Sequence, residues 1–193
     1  MIVHRWGGDS ESDWIPWLKE ELVKRGADVI APDMPNTNTP KIEEWVPFLA
    51  GLIGEANRDL FLVGHSIGCQ AILRYLETLP EGAKIGGAVF VAGWTELTGL
   101  SDEERVVAQP WESTPIDWQK VSSHAESFVA IYSDDDPHVP EANSQIFREK
   151  LNAKLVLDEG RGHFTEDDDV TQLPSVLDEL LVIMGLPVET TLI

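Results

Sequence analysis

The pentapeptide Gly64-His65-Ser66-Ile67-Gly68 constrains the fold of this chain more than any other stretch. It follows the apolar run Leu60-Phe61-Leu62-Val63 and precedes a helical pattern over residues 67–79. A serine at such a strand-to-helix corner sits in a strained turn that lifts its hydroxyl clear of the backbone, and the glycines leave room for the neighbouring strand and helix. Such pentapeptides also arise by chance, but this placement predicts a nucleophile elbow with Ser66 at its tip.

Short apolar segments alternate with helical patterns along almost the whole chain. The continuous run Ala88-Val89-Phe90-Val91-Ala92 is typical of a parallel sheet covered on both faces. This alternation predicts a single α/β domain over residues 1–193, with about six mostly parallel strands flanked by helices. We predict strands at residues 2–4, 28–31, 60–64, 85–92, 127–133 and 154–157. We predict helices at residues 12–25, 41–53, 67–79, 140–151 and 170–184.

The charge of the chain narrows the classes of partner. The net charge is −20 over 193 residues, which argues against nucleic acid or an anionic membrane as a partner because both would be repelled. The acidic surface either aids solubility or serves in docking, and we favour the first reading. Cys69 is the single cysteine, so no internal disulfide is possible, and we expect a cytoplasmic protein without a targeting or membrane-spanning segment. We interpret Cys69 as a buried apolar residue rather than a nucleophile.

Residues 93–125 break the regular alternation, because they are too many for an ordinary crossover and contain two prolines and three tryptophans. We predict an irregular excursion here. It is either a connection that its tryptophans anchor to the core or a small lid beside the site. Two of these tryptophans, Trp94 and Trp111, together with Trp6, would suit an apolar acyl pocket, although core packing explains any one of them equally well.

A serine hydroxyl needs a base to take its proton, and that base needs an acid to orient it. In this architecture the acid and then the histidine follow the serine, each on a loop after a strand. The run Asp134-Asp135-Asp136-Pro137 follows the predicted strand 127–133. We choose Asp136, since Pro137 biases it to an extended conformation. Asp134, nearest the strand end, is the alternative, and in a third reading all three carboxylates only begin a helix and face solvent.

The predicted base is His163, in the run Gly160-Arg161-Gly162-His163-Phe164 after the strand 154–157. The two glycines allow loop conformations that would bring the imidazole to Ser66. His138 lies too near the acid in sequence to be an obvious relay. We expect structural or site-edge roles for His4, His65 and His124.

An oxyanion hole needs two backbone N–H donors. We expect one from Ile67, directly after the serine, and one from Trp6, in the loop after the first strand. Substrate contacts are predicted for Arg5, His65, Trp94 and Trp111.

The sequence does not support a nucleotide-binding site or a calcium-binding site. Gly7-Gly8 follows a strand, but neither a dinucleotide fingerprint nor a phosphate-loop lysine accompanies it. The acidic runs at 134–136 and 166–169 lack the alternating ligands of a calcium loop. We therefore expect no cofactor and no metal.

Taken together, these motifs resemble those of the retinoblastoma-binding serine hydrolase family over essentially the whole chain. The markers are His4-Arg5-Trp6-Gly7-Gly8, the run Asp13-Trp14-Ile15-Pro16-Trp17-Leu18-Lys19-Glu20-Glu21-Leu22, Pro32-Asp33-Met34-Pro35, the elbow, Asp136-Pro137 and Gly162-His163-Phe164. The resemblance implies an α/β-hydrolase fold without a large cap domain and a Ser66–Asp136–His163 triad.

The chain departs from the family pattern in three places. Arg5 stands where the family usually has glycine, and we hypothesise that it tunes activity or attracts an anionic substrate. The run Leu52-Ile53-Gly54-Glu55 lacks the Leu-x-Cys-x-Glu segment of some relatives, so retinoblastoma binding is not carried over. The family usually has a few residues before the first strand, whereas this sequence starts inside it. We expect hydrolysis of small carboxylic esters or amides; the alternative is a catalytically weak binding or regulatory module.

Overall fold

Five parallel strands form the centre of the protein in a computed structural model that describes residues 1–188. The strands are β1 (Ile2–Val3), β2 (Phe61–His65), β3 (Gly87–Val91), β4 (Phe128–Ser133) and β5 (Lys154–Asp158). They lie side by side in chain order, each paired in parallel with the next. All five residues of β3 are buried, as expected for a parallel sheet covered on both faces. The predicted parallel α/β architecture is confirmed.

Helices cover both faces of this sheet. They are α1 (Ile15–Lys24), α2 (Ile42–Ile53), α3 (Ile67–Thr78), α4 (Asp102–Ser113), α5 (Trp118–Ser123), α6 (Ala142–Leu151) and α7 (Pro174–Ile183). Helix α3 contacts β1 and β2 and packs against α2 and α5, while α7 packs against α1 and contacts β3 and β4. Within residues 1–188, no helix has the length and apolarity needed to cross a membrane.

The strand expected at residues 28–31 does not form. Its link to the sheet is a single hydrogen bond from the Ile2 N–H to the Ile30 carbonyl, 2.9 Å long. The Ile30 side chain is 51% exposed, so little apolar burial would hold this segment against β1. The described sheet therefore has five strands instead of about six.

The expectation of an irregular segment over residues 93–125 was wrong, because this segment contains α4 and α5. Helix α4 begins with a capping box, in which Ser101 and Glu104 bond reciprocally to each other's backbone N–H. Pro110 argues against a helix in sequence, yet it lies on the exposed face of α4, where water can bond to the carbonyl that its missing N–H leaves free.

The end of α4 is tied to α3 by a buried arginine. Arg74 of α3 donates hydrogen bonds of 2.6–3.0 Å to the carbonyls of Trp111, Thr114 and Pro115. Trp111 is buried and donates its indole N–H to the Pro40 carbonyl at 3.0 Å. These contacts favour the reading in which a tryptophan anchors the segment to the core.

Candidate active site

Ser66 lies at the sharp corner between β2 and α3. Its backbone has φ of +53° and ψ of −115°, a strained conformation for a residue with a side chain. Its N–H donates to the Val91 carbonyl at 2.8 Å. A Cβ on Gly64 would lie 2.7 Å from the Cys69 nitrogen, and one on Gly68 would clash with the Val3 carbonyl. The two glycines are therefore required because strand and helix backbones meet here without space for side chains.

The structure brings Ser66, His163 and Asp136 into one hydrogen-bonded chain. The Nδ1 of His163 is 2.8 Å from Oδ2 of Asp136, and its Nε2 is 2.9 Å from the Ser66 hydroxyl oxygen. Since a carboxylate only accepts, Nδ1 carries the hydrogen and Nε2 presents its lone pair to the serine hydroxyl. This is the tautomer that a general base acting on Ser66 requires.

Asp136 is held as a charged group. Its Oδ1 accepts the backbone N–H groups of His138 and Val139 at 2.8 and 3.0 Å. Burial acts to raise the pKa of Asp136, but the His163 bond and these two amides outweigh it and hold the pKa below its ordinary value. The carboxylate is thus ionised at neutral pH, as needed to orient an imidazole.

The two neighbouring aspartates have a different role. Asp134 accepts the Gly160 N–H and Asp135 accepts the Gly162 N–H, each at 2.8 Å. Both carboxylates therefore fasten the loop after β5 to the loop after β4. Because α6 begins only at Ala142, these side chains do not serve merely to start a helix.

The loop that carries His163 has its own internal support. The Oδ2 of Asp168 accepts the N–H groups of His163 and Thr165 at 2.9 and 3.1 Å. Gly162 has φ of +50°, and a Cβ there would overlap the Asp168 carboxylate. Glycine at position 162 therefore lets the backbone close around Asp168.

Two backbone N–H groups are free to receive negative charge near Ser66. In the part of the chain that the structure describes, neither the Ile67 nor the Trp6 N–H has a hydrogen-bond partner. Ile67 is the first residue of α3, a twelve-residue helix whose N-terminus favours negative charge. Trp6 lies with Ser66 in the wall of the same cavity.

His4 orients the peptide that carries the Trp6 N–H. Its Nδ1 donates to the Arg5 carbonyl at 2.7 Å, and its Nε2 accepts the Met34 N–H at 2.9 Å. The Gly8 N–H also donates to that carbonyl, at 3.2 Å. Since the peptide is trans, the Trp6 N–H points opposite to the Arg5 carbonyl. Sequence reasoning gave His4 only a structural or site-edge role.

A cavity of about 500 Å³ opens beside Ser66 and His163. Its wall combines apolar groups with acidic ones. The apolar lining residues are Trp6, Leu97, Leu100 and Pro137, and the acidic ones are Glu104, Asp167 and Asp168. Negative charge at this wall disfavours the entry of an anionic ligand.

Of the four predicted substrate contacts, only Arg5 lines this cavity. His65 is fully buried behind it, and Trp94 and Trp111 belong to the hydrophobic core. This corrects the prediction that these three side chains contact substrate. Arg5 is itself paired with Asp13 through contacts of 2.8 and 3.2 Å, so its charge is already compensated.

Sequence reasoning missed several cavity residues. Leu97 and Leu100 lie in the loop between β3 and α4, and His138 follows the chosen acid by two residues. Their position in the chain could have indicated these residues, since they follow β3 and β4, and loops at the carboxyl ends of parallel strands meet at one edge of the sheet. His124 does not line the cavity, and its Nδ1 donates to the Ala83 carbonyl at 2.7 Å.

Cys69 is buried, and its thiol donates to the carbonyls of Gly64 and Val91 at 3.2 and 3.3 Å. Burial raises the pKa of this thiol. Both observations fit a core residue of the elbow helix rather than a nucleophile.

The parallel sheet with a serine at its strand-to-helix corner defines the protein as an α/β-hydrolase. More specifically, the chain belongs to the serine hydrolase family, whose model matches residues 1–181. The chain is 28% identical to the serine hydrolase RBBP9 of Rattus norvegicus over 177 residues, which are 91% of this chain and 90% of that protein. The family expected from the motifs is confirmed.

Bacterial proteins show the same relationship. The YdeN protein of Bacillus subtilis strain 168 is 33% identical over 179 residues, which are 93% of this chain and 92% of YdeN. The crystal structure of the ydeN gene product superposes with a TM-score of 0.85 over 95% of this chain and 97% of that one. Est1E from Butyrivibrio proteoclasticus shares the fold, with a TM-score of 0.69 over 95% of this chain and 87% of that one, at 19% identity.

Proposed function

We propose that this protein cleaves small carboxylic esters, or amides, through an acyl-enzyme on Ser66. The observation that carries the proposal is the chain of two hydrogen bonds from Ser66 through His163 to Asp136. The serine is also 6% exposed and lines the cavity, so a substrate carbonyl that enters can reach its hydroxyl.

In the proposed reaction, the Ser66 oxygen attacks the carbonyl carbon while Nε2 of His163 takes the hydroxyl proton. Asp136 keeps the proton of Nδ1 in place and stabilises the imidazolium that forms. The negative charge on the former carbonyl oxygen meets the N–H groups of Ile67 and Trp6. The tetrahedral intermediate collapses as His163 gives its proton to the leaving group. Water, activated by the same imidazole, then releases the acid and restores Ser66.

The cavity wall favours neutral over anionic acyl groups. Glu104, Asp167 and Asp168 place negative charge around the opening, and the overall charge of −20 adds to it. Among the lining residues within 1–188, Arg5 is the one with a permanent positive charge, and Asp13 neutralises it. This argues against the hypothesis that Arg5 attracts an anionic substrate. The cytoplasmic location stays a prediction.

A pair of esters with the same leaving group tests this proposal. We expect wild-type protein to hydrolyse p-nitrophenyl butyrate with a kcat/KM about tenfold higher than mono-p-nitrophenyl succinate, because the second carries a carboxylate. About 0.5 M NaCl should reduce the difference by screening. The matching p-nitroanilide of butyrate tests amide cleavage. Hydrolysis that persists in Ser66→Ala would contradict the acyl-enzyme, and equal rates for the two esters would contradict the charge preference.

A further inference from the structure

The Asp13 carboxylate lies fully buried behind the cavity, where it contacts three separate segments of the chain. Arg5 donates to both of its oxygens, from Nε at 2.8 Å and from Nη2 at 3.2 Å. The Glu166 N–H donates to Oδ1 at 2.9 Å. The third neighbour is His65, whose Nδ1 is 3.6 Å from Oδ2. No step of the proposed reaction uses this carboxylate.

The neighbours of Asp13 belong to the segments that carry the proposed reacting groups: Arg5 precedes Trp6, His65 precedes Ser66, and Glu166 follows His163 by three residues. His65 also reaches the base itself, because its Nε2 is 2.8 Å from the His163 backbone carbonyl. The fully buried His65 ring therefore lies between the Asp13 carboxylate and the backbone of His163.

The hydrogen-bond roles in this arrangement follow from the acceptors. A carbonyl oxygen only accepts, so Nε2 of His65 carries a hydrogen and donates it to His163. In the described part of the chain, Nδ1 has no hydrogen-bond partner and faces Asp13. Burial lowers the pKa of His65, although the nearby Asp13 acts to raise it. A fully buried carboxylate without a partner would not stay charged. The Arg5 cation, 2.8 Å away, balances the negative charge of Asp13.

The backbone of Asp13 is also unusual, with φ of +59°. Residues other than glycine seldom adopt this left-handed conformation, and asparagine and aspartate are among the few that tolerate it. Such strain persists only where surrounding contacts determine the conformation. Here those contacts are the ones that the side chain makes.

We propose that Asp13 and His65 are positioning residues, which join the Trp6 loop to the His163 loop and hold the imidazole of His163 at Ser66. This inference rests on the proposed function. Neither side chain lines the cavity, so both act on the rate of acylation and not on substrate binding.

The test compares His65→Leu with His65→Gln. Leucine removes the donor to the His163 carbonyl, whereas the glutamine amide places an N–H at nearly the same distance from the backbone. We expect His65→Leu to lower kcat and the rate of labelling by a fluorophosphonate about tenfold or more, with KM within about threefold of wild type. His65→Gln should recover most of the loss. An unchanged kcat in a folded His65→Leu variant, or a loss carried by KM, would overturn the proposal.

Asp13→Asn provides a second arm that does not depend on leucine being tolerated in the core. Asparagine accepts the positive φ and can still bond to the Glu166 N–H, but it loses the ion pair to Arg5. We expect Asp13→Asn to lower kcat about tenfold. The double variant Asp13→Asn, His65→Leu should have a kcat only slightly below that of the slower single variant, because both residues act through one network. Fully additive losses would contradict a shared path.

A readout that needs no catalysis separates this inference from the proposed function. Amide hydrogen exchange at Glu166 should be faster in Asp13→Asn than in wild type, because a neutral amide oxygen holds this N–H more weakly than the carboxylate does. The matched control is Asp33→Asn. The Asp33 carboxylate accepts the Ser10 N–H at 2.8 Å but touches neither His65 nor Glu166, so this substitution should leave both the Glu166 exchange rate and kcat unchanged.

If wild-type protein does not react with the fluorophosphonate, the proposed function fails. If it reacts and the variants match it, only the positioning role fails.

Discussion

The Nδ1 of His4 and the Arg5 carbonyl oxygen are 2.7 Å apart, and this hydrogen bond determines which way the Trp6 N–H points. Because C=O and N–H are antiparallel across a trans peptide, holding one fixes the other. Burial lowers the pKa of His4, which keeps the ring neutral so that Nε2 can accept from Met34 while Nδ1 donates. A buried histidine thus orients a proposed oxyanion donor that it does not touch.

His4→Phe keeps an aromatic ring at this position and removes both hydrogen bonds. We expect about a tenfold lower kcat with little change in KM, since losing an oxyanion donor outright costs more, about 10²-fold or above. Steady-state kinetics with a p-nitrophenyl ester measures this. The matched control is His124→Phe, another buried histidine bonded to a backbone carbonyl, which should lower stability without lowering kcat. Equal effects of the two changes on kcat would count against the orientation argument.

Asp136 and Asp134 were competing candidates for the acid, and isosteric amides separate them. Asp136→Asn should lower kcat by about 10³-fold or more, because the amide would donate to His163 and favour the wrong tautomer. Asp134→Asn keeps an oxygen to accept the Gly160 N–H and should stay within about threefold of wild type. Kinetics of both variants, with circular dichroism to verify folding, would reject the assignment of Asp136 if the two losses were reversed.

Gly68 tests the backbone contact beneath the elbow. Gly68→Ala would press a methyl group into the Val3 carbonyl, where β1 and α3 cannot both keep their places. We expect a loss of about 3 kcal/mol or more in the free energy of unfolding. In Gly51→Ala the new methyl group meets nothing within 4 Å, so this control should raise stability by about 0.5 kcal/mol or more through helix propensity. Urea unfolding measures both, and similar losses would contradict the contact.

Asp13 also predicts how stability depends on pH. Burial acts to raise the pKa of Asp13, but the Arg5 guanidinium and the Glu166 N–H, which both donate hydrogen bonds to its carboxylate, hold it below its ordinary value. A carboxylate with a lower pKa in the folded state takes up its proton first in the unfolded chain as the pH falls. Its stabilisation is therefore complete above about pH 5 and is lost progressively below about pH 4.

The measurement is urea unfolding of wild type and Asp13→Asn between about pH 7 and pH 3. Acid also relieves repulsion in a chain of net charge −20, so the difference between the two proteins isolates Asp13. That difference should be largest near neutral pH and shrink on acidification. A gap that stays constant with pH would show that the carboxylate charge is not what stabilises the fold here.

The sequence predicted those parts of the fold that depend on local patterns. The elbow, β3 and the loops after β4 and β5 have short-range signals: apolar runs, glycines and a proline beside the acid. The predicted strand at residues 28–31 failed because strand formation depends on partners elsewhere in the chain. Helix α4 was missed because Pro110 counts against a helix in sequence, while its tolerance depends on lying on the exposed face.

The predictions for the site also succeeded where local motifs carry the information and failed where distant contacts decide. Motif spacing predicted that Ser66, Asp136 and His163 would meet, and the structure places them within hydrogen-bond distance. Sequence could not distinguish a tryptophan that lines a cavity from one in the core, so Trp94 and Trp111 were misplaced. The network around Asp13 was also beyond sequence reasoning, because Asp13 and Glu166 are 153 residues apart in the chain.

The central claim is that Ser66 is an activated nucleophile, and intact mass after exposure to a fluorophosphonate tests it most directly. We expect one adduct per chain on wild-type protein and none on Ser66→Ala. His163→Ala should label at least about 10³-fold more slowly, because it lacks the base. No adduct on well-folded wild type, or an adduct that persists in Ser66→Ala, would contradict the account.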